Sequence, residues 1–435
     1  MRFGVFFEIQ LPRPWDENSE QRAFDEALEQ AVLADKLGIQ YMWATEHHFL
    51  EEYAHSSAPE VFLAAAAALT RNIRIGHGIR LMPPKYNHPA RVAEALATLD
   101  LISHGRVEWG VGSSSSAAEI LGFEFDPHDK EAMADEATRE VAKMLCTTPY
   151  PGYAGEFFSM PARNVVPKPA QKPHPPLWTA CSKRATILRA AEQGIGALTF
   201  SFVNPLEAKG WVEDYHRTFA EECQPIGQDV NPRIAMVTGF GCHQDPAVAR
   251  ERFKGGQDFF GFGLAYYYGH GRHLPGIDDI WKQFIESGEE GDTGYGDATP
   301  FSSPDDLRER YKIYEDAGVD QVVLLPQAGS NRHEDICEAL ELFGSKILPE
   351  FIERDEEAEK RRAVRLAPAI EKARRRIADP SATEAPAPIE AFGLRSKRAA
   401  SELTTLLQKT KTADVEDGGA ARTTARRGES VEELS

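Results

Sequence analysis

The sequence predicts an α/β fold of the (β/α)8 class, a TIM barrel with insertions, on three observations. Eight strand-like segments alternate with helical ones through about the first 350 of 435 residues, and strands separated by helices pair in parallel. Eight such units close naturally into a barrel, an open doubly wound sheet being the alternative. Acid and imidazole side chains also cluster directly after a strand, in Trp43-Ala44-Thr45-Glu46-His47-His48-Phe49. The C-terminal ends of barrel strands are where this fold keeps its chemistry.

Residues 2–9 read as a buried strand. Residues 19–37 follow as an amphipathic helix, with Phe24, Leu28, Ala31, Val32 and Leu37 near helical spacing. Residues 41–44 are the second strand. The second helix opens with Ser56-Ser57-Ala58-Pro59-Glu60, a capping serine before an early proline, and runs into the alanines 64–68. Residues 73–79 are the third strand. His88-Pro89 starts the third helix, which ends near Ser103-His104-Gly105, and residues 106–112 are the fourth strand. After an interruption come strand 177–180 and helix 183–193, then strand 196–202 and helix 205–222. Strand 233–242, helix 246–260, strand 319–325 and helix 333–351 complete the series.

Two insertions break the rhythm. Residues 113–176 hold a helix, 130–145, and a Pro-rich stretch, 161–176. Residues 261–304 hold Tyr266-Tyr267-Tyr268-Gly269-His270-Gly271 and an acidic, glycine-rich loop, 288–296. Loops of this length are commonly functional, and both read as walls of a substrate pocket, with Phe123, Phe125, Tyr266, Tyr267 and Tyr268 as its aromatic lid. The domain reading is a barrel over 1–352 and a charged, low-complexity tail over 353–435. Residues 355–435 carry 16 basic and 15 acidic side chains and few apolar ones, so the tail is expected to be disordered beyond one charged helix.

The net charge of −19 argues against nucleic acid as a partner, because phosphate binding needs a basic face. No apolar run approaches the roughly twenty residues of a membrane-spanning helix. The start, Met1-Arg2-Phe3-Gly4-Val5-Phe6-Phe7, enters a strand without a signal-peptide h-region. The five cysteines are scattered and form no CxxC pair. The expectation is a reduced, cytoplasmic chain without a metal site. His47 and His48 are adjacent, whereas two metal ligands on a strand need i, i+2 spacing to share a face.

Four segments in register carry a resemblance over about residues 1–352. They are Glu46-His47-His48-Phe49; Gly78-Ile79-Arg80-Leu81-Met82-Pro83 with His88-Pro89-Ala90-Arg91; Ser103-His104-Gly105-Arg106-Val107-Glu108-Trp109-Gly110-Val111-Gly112; and Ala317-Gly318-Val319-Asp320-Gln321-Val322. The chain resembles the bacterial luciferase-like flavin-dependent monooxygenase family. That resemblance implies a barrel binding reduced FMN (FMNH2) at the C-terminal ends of its strands. It also implies O2 and a small organic substrate, an aldehyde or ketone attacked by a flavin C4a-hydroperoxide.

By resemblance, His47 is the catalytic histidine, a base beside the flavin C4a, and Glu46 lines the flavin site. Gly78-Ile79 matches a non-proline cis peptide under the isoalloxazine ring. His77, one residue earlier, would point away and pack. Ser182, Lys183 and Thr186 match the phosphate-binding segment, where helix N-termini and cations favour an anion; Lys183 and Arg184 are the natural suppliers of charge. Gly112, Ser113, Ala180, Cys181 and Ser201 complete the implied flavin contacts. One departure stands out: Ser113 occupies the place where the family often has a phosphate-holding arginine.

Gly110-Val111-Gly112 lacks the third glycine of a dinucleotide fingerprint. The implied partner is therefore a separate NAD(P)H:flavin reductase. No G-x-S-x-G or H-E-x-x-H motif is present. The alternatives are an F420-dependent, hydride-transferring oxidoreductase and a non-catalytic flavin-binding protein. The small residues of the second helix permit close approach of another helix, and by resemblance the chain forms a homodimer.

Overall fold

The computed structural model describes residues 1–199, 205–288 and 300–381, together with 388, 389, 401, 404 and 405. Eight strands form the barrel: β1 Arg2–Phe7, β2 Tyr41–Ala44, β3 Arg74–His77, β4 Val107–Gly112, β5 Leu177–Cys181, β6 Gly196–Thr199, β7 Ile234–Gly239 and β8 Gln321–Leu325. The described helices are α1 Ser19–Leu37, α2 Pro59–Leu69, α3 Pro89–Ile102, α4 Ala117–Gly122, α5 Lys130–Cys146, α6 Arg184–Glu192, α7 Pro205–Glu222, α8 Pro246–Ala265, α9 Ile280–Ser287, α10 Pro304–Asp316, α11 His333–Lys346 and α12 Leu348–Arg374.

All neighbouring barrel strands run parallel. β1 pairs with β8 (Arg2 opposite Gln321) and with β2 (Gly4 opposite Tyr41). β2 to β3 and β3 to β4 continue one way round, and β4 through β5, β6 and β7 to β8 complete the circle. The predicted eight-unit barrel is the observed fold. Strand three is shorter than expected, ending at His77, and a two-residue strand, Arg80–Leu81, extends the pairing with β4.

Local chemistry sets the helix ends. Gly38 ends α1 in the left-handed conformation, φ 88°, its N–H reaching Ala34 and Asp35 carbonyls. His88, Asp245 and Ser303 cap α3, α8 and α10 by accepting an N–H bond, each just before a proline. Ser56 and Ser57 do not cap α2: its N-cap is Ala58, with no side-chain bond. Ser56 instead donates to the Thr45 carbonyl at 2.6 Å, fixing the segment that carries His47.

Two indoles fill the barrel. Trp43 on β2 and Trp178 on β5 are buried edge to face, 5.5 Å between ring centroids. Each lies over a glycine of the next strand. A Cβ on Gly76 would come within 2.4 Å of Trp43, and one on Gly196 within 2.4 Å of Trp178. Trp178 Nε1 donates to Glu108 at 2.6 Å, and Glu108 is paired with Arg74, so the buried indole N–H is satisfied.

The insertion after β4 contains α4 and α5, the latter matching the expected helix. The one after β7 contains the end of α8, a π-helical turn over Tyr266–His270, and α9. α10 was not expected; its first turn and capping serine lie at the end of the second insertion. Most of the acidic loop 288–296 lies outside the described residues. α12 runs from Leu348 to Arg374, across the expected domain boundary at 352/353. Its Phe351 ring packs on Phe3, and Asp355, Glu359 and Arg362 pair with Arg2, Arg233 and Asp320. Beyond residue 381 nearly all of the tail lies outside the described residues.

By contact the chain divides into two units, Met1–Tyr150 with Asn164–Ser381, and Pro151–Arg163 with Ala382–Ser435. The first is the barrel with α12. The second holds, apart from Tyr150, the two-stranded sheet Tyr150–Ala154 with Ser159–Arg163.

Candidate active site

A cavity of about 490 Å³ opens at the C-terminal ends of the strands. Each strand end delivers particular groups. Glu8 follows β1, Thr45, Glu46 and His47 follow β2, Gly78 and Ile79 follow β3, and Gly112 to Ser115 end and follow β4. Thr179 and Ala180 come from β5, with Ser182, Lys183 and Thr186 from the turn into α6. The insertions close it, α5 with Lys130 and Asp135 and the π-helical turn with Tyr268. Ile79, Leu81, Val111, Ile195, Phe260 and Leu264 make part of the wall apolar.

His47 sits between two buried carboxylates. Its Nδ1 is 3.1 Å from Glu119 and its Nε2 is 3.7 Å from Glu8. The Tyr268 hydroxyl lies 3.2 Å from Nδ1 and 3.4 Å from Nε2. Burial alone would push the His47 ring down, but the Glu119 and Glu8 charges, with Glu46 behind them, outweigh it and bring the ring to about 9. Glu8 is raised by its own burial, against His47 and a 2.7 Å bond from Thr45 Oγ1. Burial also acts to raise Glu119, yet it lies below the ordinary carboxylate value. Its partners are His47, the Ser114 hydroxyl at 2.5 Å and the His48 amide at 2.9 Å.

Glu46 does structural work at the same place. It accepts from the Leu81 amide at 2.8 Å and faces His48 Nε2 at 3.2 Å. His48 turns away from His47 and stacks on Tyr86, 5.7 Å between centroids. The Gly78–Ile79 bond is cis. His77 is fully buried and does not line the cavity; burial, with Arg80 nearby, lowers it to about 3.

Cations gather at the end of the cavity lined by α5 and α6. Lys130 Nζ donates to the Ser114 carbonyl at 2.6 Å. Burial lowers its pKa, against the neighbouring Glu131 charge, and Lys183 adds a smaller push the same way as burial. Arg189 lines the same end but is bound at 2.7 Å to both Glu131 and Asp135. Among the described residues neither Lys130 nor Lys183 has a carboxylate within ion-pair distance; with Arg189 against Glu131 and Asp135, this part of the lining carries one net positive charge beside Ser113, Ser115, Ser182 and Thr186.

Of the expected site residues, Glu46, His47, Gly78, Ile79, Gly112, Ser113, Ala180, Ser182, Lys183 and Thr186 all line this cavity. Cys181 does not: it follows Ala180 on a pleated strand, so its side chain turns to the opposite face, towards α6, and is fully buried. Arg184 also points elsewhere, into an ion pair with Asp214. Ser201 lies outside the described residues. Of the five aromatic lid residues only Tyr268 reaches the cavity; Tyr266 and Tyr267 pack in the core, and Phe123 packs on His48. Glu8, Glu119, Lys130 and Arg189 were not foreseen. An acid inside an otherwise apolar first strand was the available signal for Glu8.

The sequence matches the family model described as luciferase-like monooxygenase over residues 1–321. The chain belongs to that family. A flavin-dependent trigonelline monooxygenase, oxygenase component, from Acinetobacter baylyi is 28% identical over 54% of this chain and 64% of its own length. An F420-dependent glucose-6-phosphate dehydrogenase from Amycolatopsis mediterranei is 29% identical over 54% of this chain and 71% of its own. Among solved structures, monooxygenase RslO1 from Streptomyces bottropensis superposes with a TM-score of 0.64 at 25% identity, covering 81% of this chain and all of that one. The matches to the first curated relatives span 54–64% of those proteins' lengths. Relatives of this luciferase-like chain thus use a flavin or a deazaflavin, and one is named as part of a multicomponent oxygenase.

Among the described residues no helix is long and apolar enough to cross a membrane, and no group of three or more His, Cys, Asp or Glu side chains is placed to hold a metal ion.

Proposed function

We propose that this protein is an FMNH2-dependent monooxygenase that inserts one atom of O2 into a small organic substrate. One observation carries the reading. A single cavity holds the half-buried His47 and, where α5 and α6 line it, two lysines without an ion-pair partner among hydroxyls. A phosphate monoester carries about −1.5 to −2 charges at neutral pH, and Lys130 and Lys183 with the adjacent hydroxyls offer it donors. FMN fits this donor set, and Lys130 stands in for the arginine that Ser113 replaces. When bound, the reduced flavin would supply the two electrons that activate O2.

The chain's own residues do the rest. Ser182, Thr186 and the two lysines hold the phosphate; Glu46 and Leu81 fix the backbone beside Gly78 and Ile79; His47 manages a proton; and the apolar wall keeps water from the reacting centre. The oxygenase-component relative supports a separate NAD(P)H:flavin reductase as partner. The F420 reading rests on the dehydrogenase relative and differs in needing no O2.

The test is anaerobic binding of FMNH2 and of reduced F420, followed by oxygen uptake with product analysis. Binding of FMNH2 with uptake coupled to substrate oxidation is expected, and His47→Ala should keep binding while losing coupled turnover by about a hundredfold, the scale of one acid–base group. Tight binding of F420 alone, with turnover independent of O2, would replace the proposal. Lys130→Ala should weaken FMN by about 10- to 100-fold, the worth of one charge-assisted bond. It should leave riboflavin, which has no phosphate, unchanged in a fluorescence titration.

A further inference from the structure

The surroundings of His47 restrict which way its proton moves. A neutral imidazole has one N–H and can satisfy one acceptor; its other nitrogen presents a lone pair. Here both nitrogens face carboxylate oxygens, at 3.1 Å and 3.7 Å. A neutral ring would turn a lone pair towards one carboxylate unless the Tyr268 hydroxyl donates to it, while a doubly protonated ring turns a proton towards both. The groups around the ring come from every side. Glu8 follows the first strand, and Glu46 and Tyr53 follow the second. Glu119 lies on α4 and Tyr268 on the π-helical turn. The largest charges acting on His47 are those of Glu119, Glu8 and Glu46.

The two carboxylates are unequal. Glu119 is engaged by Ser114, the His48 amide and His47 within 3.1 Å. It anchors Nδ1. The Nε2 contacts are the longer ones, 3.7 Å to Glu8 and 3.4 Å to the Tyr268 hydroxyl, so Nε2–H is the less tightly held proton in the cavity that His47 lines.

We infer that Glu119 and Glu8 are positioning residues that hold His47 as a proton donor, so that this cavity oxidises an electron-rich centre, such as a sulfide, an amine, an alkene or an electron-rich arene, rather than a carbonyl. The inference rests on the monooxygenase reading above. An oxygen that keeps its proton transfers as an electrophile, whereas a base that strips it makes a nucleophile suited to aldehydes and ketones. The balance closes with the co-reactants already named. One atom of O2 bonds to the substrate and the other leaves as water, its departure assisted by the Nε2 proton. Two electrons and two protons come from FMNH2, which restores His47. The carbonyl substrate implied by resemblance presupposed His47 as a base; two acids against its ring reverse that role.

Two measurements test this separately from flavin binding. In the flavin-free protein with 15N-labelled histidine, the His47 signal, assigned by its loss in His47→Gln, should titrate well above pH 7. Glu119→Gln should lower its midpoint by about one pH unit or more, and Glu8→Gln should lower it too, giving a second variant should one fold poorly. A midpoint in the wild type at or below about 6.5, or unmoved in both variants, would overturn the clamp. With FMNH2, O2 and an equimolar mixture of methyl phenyl sulfide and decanal, sulfoxide should exceed decanoic acid by about tenfold, and Glu119→Gln should shrink that ratio. Acid in excess, or no product from either, would overturn the substrate class. Failure to bind FMNH2 would remove the monooxygenase reading and, with it, the substrate class, while the titration still decides the clamp.

Discussion

His47 and His77 lie about thirty residues apart in sequence and within one strand end of each other, yet they carry opposite charge preferences. His47, held at about 9 by Glu119 and Glu8 against its own burial, is favoured as a cation in the folded protein. Its contribution to stability is fully present below the ordinary histidine pKa of about 6.5 and is lost as pH rises through 9. His77, lowered to about 3 by burial beside Arg80, is favoured neutral. Its contribution is present above about 6.5 and is lost as pH falls towards 3. Urea unfolding across pH should therefore show an alkaline loss between about 7 and 9 that His47→Gln flattens and that substitution of His77 leaves in place. His47 itself was legible in the sequence because a strand-like run delivers it directly. Glu119 was not: it sits 72 residues away on a six-residue helix inside an insertion, and no local pattern says that such a helix folds back over the barrel mouth. Lys130 was hidden in the same way, at the first turn of a helix whose docking only the tertiary structure reveals.

The secondary elements themselves were legible wherever two conditions met, a β-rich run and a capped, periodic helix after it. α1 occupies the expected residues 19–37, and α7 the expected 205–222. The rest failed for physical reasons. α10 begins in a proline-bearing first turn at the edge of an insertion and carries much charge, so its apolar stripe is thin. The pairing of Tyr150–Ala154 with Ser159–Arg163 involves short, Pro- and Gly-bearing segments that give weak strand signals. The glycines inside strands, by contrast, have a reason only the packed barrel shows. Gly76→Ala would set a methyl against the rigid six-membered ring of Trp43 at distances of 2.4–2.8 Å. That indole, enclosed by Tyr41 and Trp178, has little room to yield. Overpacking of this kind costs about 1–3 kcal/mol, so Gly76→Ala should lower the urea midpoint without changing the slope. An unchanged midpoint would mean that the Trp43 ring can shift.

At the scale of the whole molecule, the outward face of α2 presents Val61 and Leu69 at 68% and 57% exposure, with Ala65 and Ala68 between them, and Leu101 and Ile102 of α3 are also exposed. Apolar groups spaced along one helix face suit a second copy of the chain better than water, in keeping with the homodimer that the resemblance implies. Light scattering at micromolar concentration should give the mass of a dimer, and Val61→Asp with Leu101→Asp should give a monomer with unchanged far-ultraviolet circular dichroism. A wild-type monomer would assign that face to something else. The closed ring of strands has a further consequence, for synthesis rather than catalysis. β1 lies between β2 and β8, and its partner residues 321–325 are made last among the strands. On a ribosome adding about 5–20 residues per second, the first strand waits on the order of tens of seconds with one side of its backbone unpaired. Throughout that interval the growing polypeptide is an open sheet with a bare edge, the form most prone to join a neighbour. Yield on expression should therefore depend on chaperone supply and on translation speed more than on the stability of the finished fold.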